Sequence, residues 1–96
     1  MKEQVLEVLK GLGIPELATV EELCEFPGAY VNMESKLPDG TIGKILEDEQ
    51  KYWCCQVAIN DEECYGVAAD QNRVVVYRYR NDDTASEVIR MVDLSK

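Results

Sequence analysis

Between Ala29 and Arg80 the chain divides into short segments with a side-chain period of two, separated by turn residues. Such a pattern restricts it to an antiparallel β architecture. AYVNME (29–34) alternates Ala29, Val31 and Met33 with Tyr30, Asn32 and Glu34. LPDG (37–40) reads as a tight turn, with Pro38 presetting φ and Asp39-Gly40 completing the reversal. TIGKILE (41–47) is predicted as the next strand, followed by YWCCQVAI (52–59), CYGVAA (64–69) and RVVVYRYR (73–80), with NDEE and DQN as turns. Five strands with turns every eight to twelve residues, roughly, describe a strongly bent meander. A sheet of that kind is also short enough to close into an SH3-like small barrel.

The flanks follow a different period. Val5, Val8, Leu9 and Leu12 recur at helical spacing, and Gly11 and Gly13 supply the stop. In TVEEL, Thr19 and Glu22 form a capping box, which predicts a second helix ended by Pro27-Gly28, with Leu23, Cys24 and Phe26 facing inward. The tail TASEVIRMVDL carries another box, Thr84 with Glu87, and places Ala85, Val88, Ile89 and Val92 on one helical face. Read with period two, Val88, Arg90, Val92 and Leu94 form a last strand instead. The expected object is one α+β domain over residues 1–96. A helical pair (1–28) packs on an antiparallel sheet (29–80), with a C-terminal helix or last strand (81–96).

Charge narrows the function classes. Nineteen acidic residues against ten basic ones give a formal net charge of −9, and the chain has no histidine. An acidic surface of this strength repels nucleic acid and anionic membranes and attracts basic surfaces. Lacking histidine, the chain has neither the commonest general base nor a leading zinc ligand. Glu3 and Glu7 interrupt what would be the apolar part of a signal peptide, and no apolar run approaches the roughly 20 residues of a membrane span. The expected setting is cytoplasmic, with the four cysteines as reduced thiols.

KYWCCQVAINDEEC (51–64) holds three of those cysteines. In a strand over 52–59, Trp53, Cys55, Val57 and Ile59 share an apolar face that must be core, and Cys54 points the other way. Adjacent cysteines in a strand cannot ligate one ion, and the chain contains no C-x₂-C. The neighbouring Asp61, Glu62 and Glu63 disfavour a thiolate nucleophile. No metal and no cofactor is expected.

Pro38-Asp39 followed by Glu49-Gln50-Lys51 resembles the PD…E-x-K pattern of a metal-dependent nuclease superfamily, in which the carboxylates hold Mg²⁺ and the lysine assists water. A PDG turn and a polar loop account for the same residues. Glu47, Asp48 and Glu49, and likewise Asp61, Glu62 and Glu63, lack the alternating ligands and turn glycine of a calcium loop, and they flank one strand at opposite ends. Arg78 and Arg80 alternate with Tyr77 and Tyr79 on the one basic element, presenting arginines suited to a protein partner.

The sequence therefore reads as a non-enzymatic protein-binding domain. Its candidate contact residues are Glu47, Asp48, Glu49, Asp61, Glu62, Glu63, Arg78 and Arg80, and the expected partner is a protein with a basic surface. The concrete form is an inhibitor that sets carboxylates where a nucleic-acid-handling protein expects phosphates. Anti-CRISPR proteins are similar in size and charge. The alternatives are an accessory module of a larger assembly and the nuclease-like enzyme. An exposed strand edge would also suit a homodimer.

Overall fold

A computed structural model describes residues 2–37, 39–40, 43–82 and 86–94, with backbone alone at 39, 40, 43 and 44. The elements run α1 (Lys2–Lys10), α2 (Pro15–Ala18), β1 (Cys24–Pro27), α3 (Gly28–Glu34), β2 (Asp39–Gly40), β3 (Gly43–Lys44), β4 (Lys51–Ala58), β5 (Glu63–Ala69), β6 (Arg73–Arg80) and β7 (Glu87–Asp93). Five of the strands form one antiparallel sheet in the order β1-β4-β5-β6-β7, and β2 and β3 pair separately as a two-stranded ribbon.

The N-terminal third departs most from its sequence pattern. Helix α1 forms as predicted, burying Val5 and Leu9, and Gly13 at φ 78 turns the chain out of it. The second helix lies ahead of TVEEL. Pro15, already fixed at a helical φ, starts α2, and Thr19 is its C-cap, donating its hydroxyl to Glu16 O at 3.3 Å rather than capping a helix behind it. Of the three residues expected inside, Leu23 is buried, whereas Cys24 and Phe26 are exposed on β1. Register pairing with Lys51–Cys54 holds residues 24–27 extended, so tertiary pairing overrides the local capping signal.

AYVNME, expected as a strand, is α3. Its buried positions, Gly28, Val31 and the following Ser35, are three and four residues apart, which is one face of a helix. The expected strand over 41–47 reduces to β3, and the chain bends at Ile45 and Leu46. Asp39 and Gly40 belong to β2, with Gly40 opposite Gly43, rather than to a PDG turn; Pro38, Thr41 and Ile42 lie outside the described residues.

Strands β4, β5 and β6 match their predicted segments, but the sheet is covered on both faces. On one, Val5, Leu9, Leu17 and Leu23 pack on Val67, Ala69, Val74 and Val76. On the other, Val31, Leu37 and Leu46 cover Tyr52, Cys54, Ala68, Val75 and Tyr77. Trp53, Cys55 and Val57 pack on the helix-side core as expected, but the other face of β4 is core as well, and its Tyr52 and Cys54 are the more deeply buried pair. Burial on two sides also explains why β5 and β6 read as continuous small and β-branched runs.

Close packing on the second face is set by Tyr77. Its ring crosses the neighbouring strand at Gly66, where a Cβ would overlap ring carbons. Its hydroxyl lies 2.7 Å from Ser35 Oγ at the end of α3. Ser86 Oγ donates to Ser35 O, and Ser86 N donates to Lys36 O at 2.9 Å, so the approach to β7 is tied to the same point.

The tail is β7, a strand and not a helix; Thr84 and Ala85 of the predicted cap lie outside the described residues. Consecutive Val88 and Ile89, which suggested a helical face, pack on opposite faces of the sheet. A register shift beside Val76 and Tyr77 accommodates the extra residue. The sheet does not close into a barrel; β1 and β7 remain its two edges.

Candidate functional site

A groove of about 340 Å³ opens on the second face, between α3 and the β1 edge. Its walls include Tyr30 and Glu34 from α3, Cys24 and Phe26 from β1, Cys54 and Gln56 from β4, and Tyr77 from β6. Phe26 and Tyr30 stack at its rim with ring centroids 5.0 Å apart and planes inclined by 22°. They are 37% and 44% exposed, so the rim is a wet aromatic surface and not a piece of core. Sequence reasoning missed this groove because its far wall is α3, which has the period-two look of a strand. The exposed stack was not legible either, because the pattern around Phe26 reads as an inward helical face.

The acidic segments occupy different places. Glu47, Asp48 and Glu49 sit on the loop entering β4, and Asp61, Glu62 and Glu63 follow its other end, as their spacing indicates. Because they flank an eight-residue strand, the two segments cannot form one chelating cluster.

The 45–50 loop is held by backbone and side-chain bonds alike. Gly28 N donates to Gln50 O at 2.8 Å, and Ala29 N to Asp48 O at 3.1 Å. Asn32 Nδ2 donates to Leu46 O at 2.8 Å, and Glu47 N to the Tyr52 hydroxyl at 3.0 Å. Gln50 Nε2 reaches Asp70 Oδ2, whose partner Oδ1 accepts from Asn72 N and Arg73 N at 2.7 and 3.0 Å. Arg73 in turn donates to Ile45 O. Contact is so close at Gly28 that a Cβ there would overlap the Glu47 carbonyl. Glu47, Asp48 and Glu49 are thus exposed side chains on a fixed backbone.

At the other end, Glu63 is engaged within the chain. Its Oε2 accepts from Arg78 Nε at 2.7 Å and its Oε1 from Asn60 Nδ2 at 3.2 Å. The Arg78 hydrogen bond first, then Asn60, holds the Glu63 carboxyl below the usual range, and the same pair raises Arg78. Arg80 lies 3.8 Å from Asp82. Tyr77 is buried and both arginines are exposed, at 46% and 50%, so the strand is amphipathic with its basic groups outward.

The cysteines are all free. Burial, with smaller contributions from neighbouring Cys55 and Cys24, pushes the Cys54 thiol up to about 12, and burial pushes Cys55 to about 11. Cys54 Sγ donates to Tyr52 O at 3.4 Å. Cys64 is likewise raised by burial. Burial favours the protonated form of these three thiols, so none is an activated nucleophile and any attack from Cys54 must begin with the loss of its proton. Among the described residues no three cysteine, aspartate or glutamate side chains converge as metal ligands, and no helix is long and apolar enough to cross a membrane. Of the nuclease-like pattern, Asp39 is on the ribbon, Glu49 is in the loop and Lys51 Nζ lies 4.0 Å from Glu25 Oε1 across the β1–β4 pair, while Pro38 lies outside the described residues.

No protein-family model, curated protein or solved structure matches the chain.

Proposed function

We propose that the chain is a non-enzymatic protein-binding domain that docks its acidic loops on a basic protein surface, most concretely as an inhibitor of a nucleic-acid-handling protein. The observation that carries this reading is the 45–50 loop. It presents Glu47, Asp48 and Glu49 to solvent from a backbone fixed by α3 and, through Gln50, by Asp70. A charge pattern held in place in advance loses little entropy on binding, which favours recognition over mere solubility. Asp61 and Glu62 supply a second exposed acidic point beyond the far end of β4, and the net charge of −9 adds long-range attraction. Glu63 contributes through its pairing with Arg78, and Arg80 beside it offers a basic contact at the edge of the same surface.

A second reading, an accessory module of a larger assembly, is favoured by the exposed Phe26–Tyr30 stack. Salt separates the two, because charge-driven docking weakens steeply with ionic strength and apolar docking does not. The test is affinity capture on the immobilised domain at low and high salt, repeated with Glu47, Glu49, Asp61 and Glu62 reversed to lysine. A basic, nucleic-acid-handling partner lost both at high salt and on reversal supports the inhibitor. A partner that survives both treatments but is lost in Tyr30→Ala refutes it in favour of the module.

A further inference from the structure

Cys24 on β1 and Cys54 on β4 are direct partners across the sheet ladder. Opposed residues in an antiparallel pair point to the same face, with Cα atoms about 4.5–5.5 Å apart, inside the range that a disulfide spans. Both cysteines line the same groove, Cys24 exposed and Cys54 buried. The other two thiols are placed differently. Cys55 also borders the groove, but as the next residue along β4 it is out of register with Cys24, its Cβ directed to the opposite face, and it packs against the helix-side core. Cys64 pairs with Ala58 and Tyr79 towards the other end of β4. Only one of the four cysteines is therefore both accessible and matched with a partner thiol in register.

We propose that Cys24 and Cys54 form a reversible cross-strand disulfide, with Cys24 as the entry thiol for a low-molecular-weight disulfide and Cys54 as the resolving thiol. In the first step the Cys24 thiolate attacks one sulfur of the small disulfide, forming a mixed disulfide and releasing one small thiolate. In the second, Cys54 gives up its proton and attacks Cys24 Sγ, forming the internal bond and expelling the other small thiolate. Two protein thiols are oxidised, and the small disulfide is reduced to two thiols, which take up the released protons. Burial of Cys54 makes the second step the slower one.

The bond acts on the element that most needs it. All four residues of β1 are exposed, and on the sheet it pairs with β4 alone. Pro27 has no N–H to give that ladder. A link from 24 to 54 closes the loop that carries α3 and the small ribbon, so it fixes both walls of the groove. This inference does not depend on the partner proposed above.

The test is incubation with oxidised glutathione, alkylation of the remaining thiols, and peptide mapping without reduction. The expected product is a Cys24–Cys54 peptide, with Cys55 and Cys64 alkylated. Hydrogen-exchange protection of the β1 amides should rise about tenfold and fall again on reduction. Cys55→Ser should still form the link, and Cys24→Ser, at an exposed position, should not. A stable glutathione adduct on Cys24 without the internal bond, a link to Cys55 or Cys64, or a link between chains would each overturn the proposal.

Discussion

Tyr77 lies across Gly66 of the adjacent strand, filling the space that any side chain at 66 would need, while its hydroxyl meets Ser35 Oγ at 2.7 Å. One residue thus sets the distance between β5 and α3. The absence of a side chain at 66 lets the ring lie flat on the sheet, and the serine satisfies the phenol where water does not reach.

Gly66→Ala should therefore destabilise the fold by about 1–3 kcal/mol, the usual cost of overpacking a filled interior. Urea unfolding would read this as a lower midpoint at unchanged slope. In a Tyr77→Ala background the same substitution should cost far less, because the ring it strikes is gone. A Gly66→Ala chain as stable as its parent would show that the ring does not hold this position.

Alkali should unfold the chain earlier than its acidic character suggests. Burial raises the folded-state pKa of Tyr77 to about 12 from 10.0, of Cys54 to about 12 and of Cys55 to about 11, both from 9.0. Each group is held protonated in the fold, so above its ordinary pKa the unfolded chain binds fewer protons than the folded one. Stability from these groups is complete below about pH 9 and falls as pH rises through 11 to 12. Denaturant midpoints measured from pH 7 to 11 should stay level at first and then decline. Tyr77→Phe should remove the upper part of that decline.

Asp70→Ala should cost about 1–3 kcal/mol, since it strands the Asn72 and Arg73 N–H groups and the Gln50 amide together. The distinguishing readout is distant in sequence. Hydrogen exchange at Gly28 and Ala29, whose N–H groups bond to Gln50 and Asp48 carbonyls, should accelerate as the loop loosens. Unchanged exchange there would mean that Asp70 supports only its own turn.

Arg78→Gln should return the Glu63 carboxyl towards the ordinary glutamate range, because the Arg78 hydrogen bond is the largest cause of its depression. Asn60 should preserve a smaller part of the shift. A carboxyl-detected NMR titration of Glu63 in both chains checks this. An unmoved titration would mean that the pair does not persist in solution.

Where two signals agreed, the sequence was enough. Strands β4, β5 and β6 have turn residues at both ends and apolar runs between them, and α1 has its stripe and its glycine stop. The misread segments, and the tail open between helix and strand, share a cause: each has two local solutions, and a distant partner selects one. Residues 24–27 extend because Lys51–Cys54 pair with them. Residues 28–34 coil because the 45–50 loop receives the Gly28 and Ala29 N–H groups and the sheet receives Val31. Residues 87–93 extend because β6 offers an edge and a register shift absorbs the Val88-Ile89 doublet. The acidic residues were visible as charge, but the fixed backbone beneath Glu47, Asp48 and Glu49 was not. That backbone depends on Asn32, Asp70 and Arg73, which are remote in sequence and ordinary in type.

The separation of β1 from β4 has a consequence for the order of folding. Strands β4 to β7 are neighbours in sequence, joined at 59–62, 70–72 and 81–86, whereas β1 meets β4 only after the chain has travelled through 28–50. Closing the longer loop costs more entropy, so the hairpins should form first and the N-terminal third should arrive on them. Until it does, Val67, Val74 and Val76 lie open on one side and Ala68, Val75 and Tyr77 on the other. Pulse-labelled exchange should find β5 and β6 protected before β1, and the yield of refolding should fall as protein concentration rises. A sheet buried on two faces is, for that interval, adhesive on both.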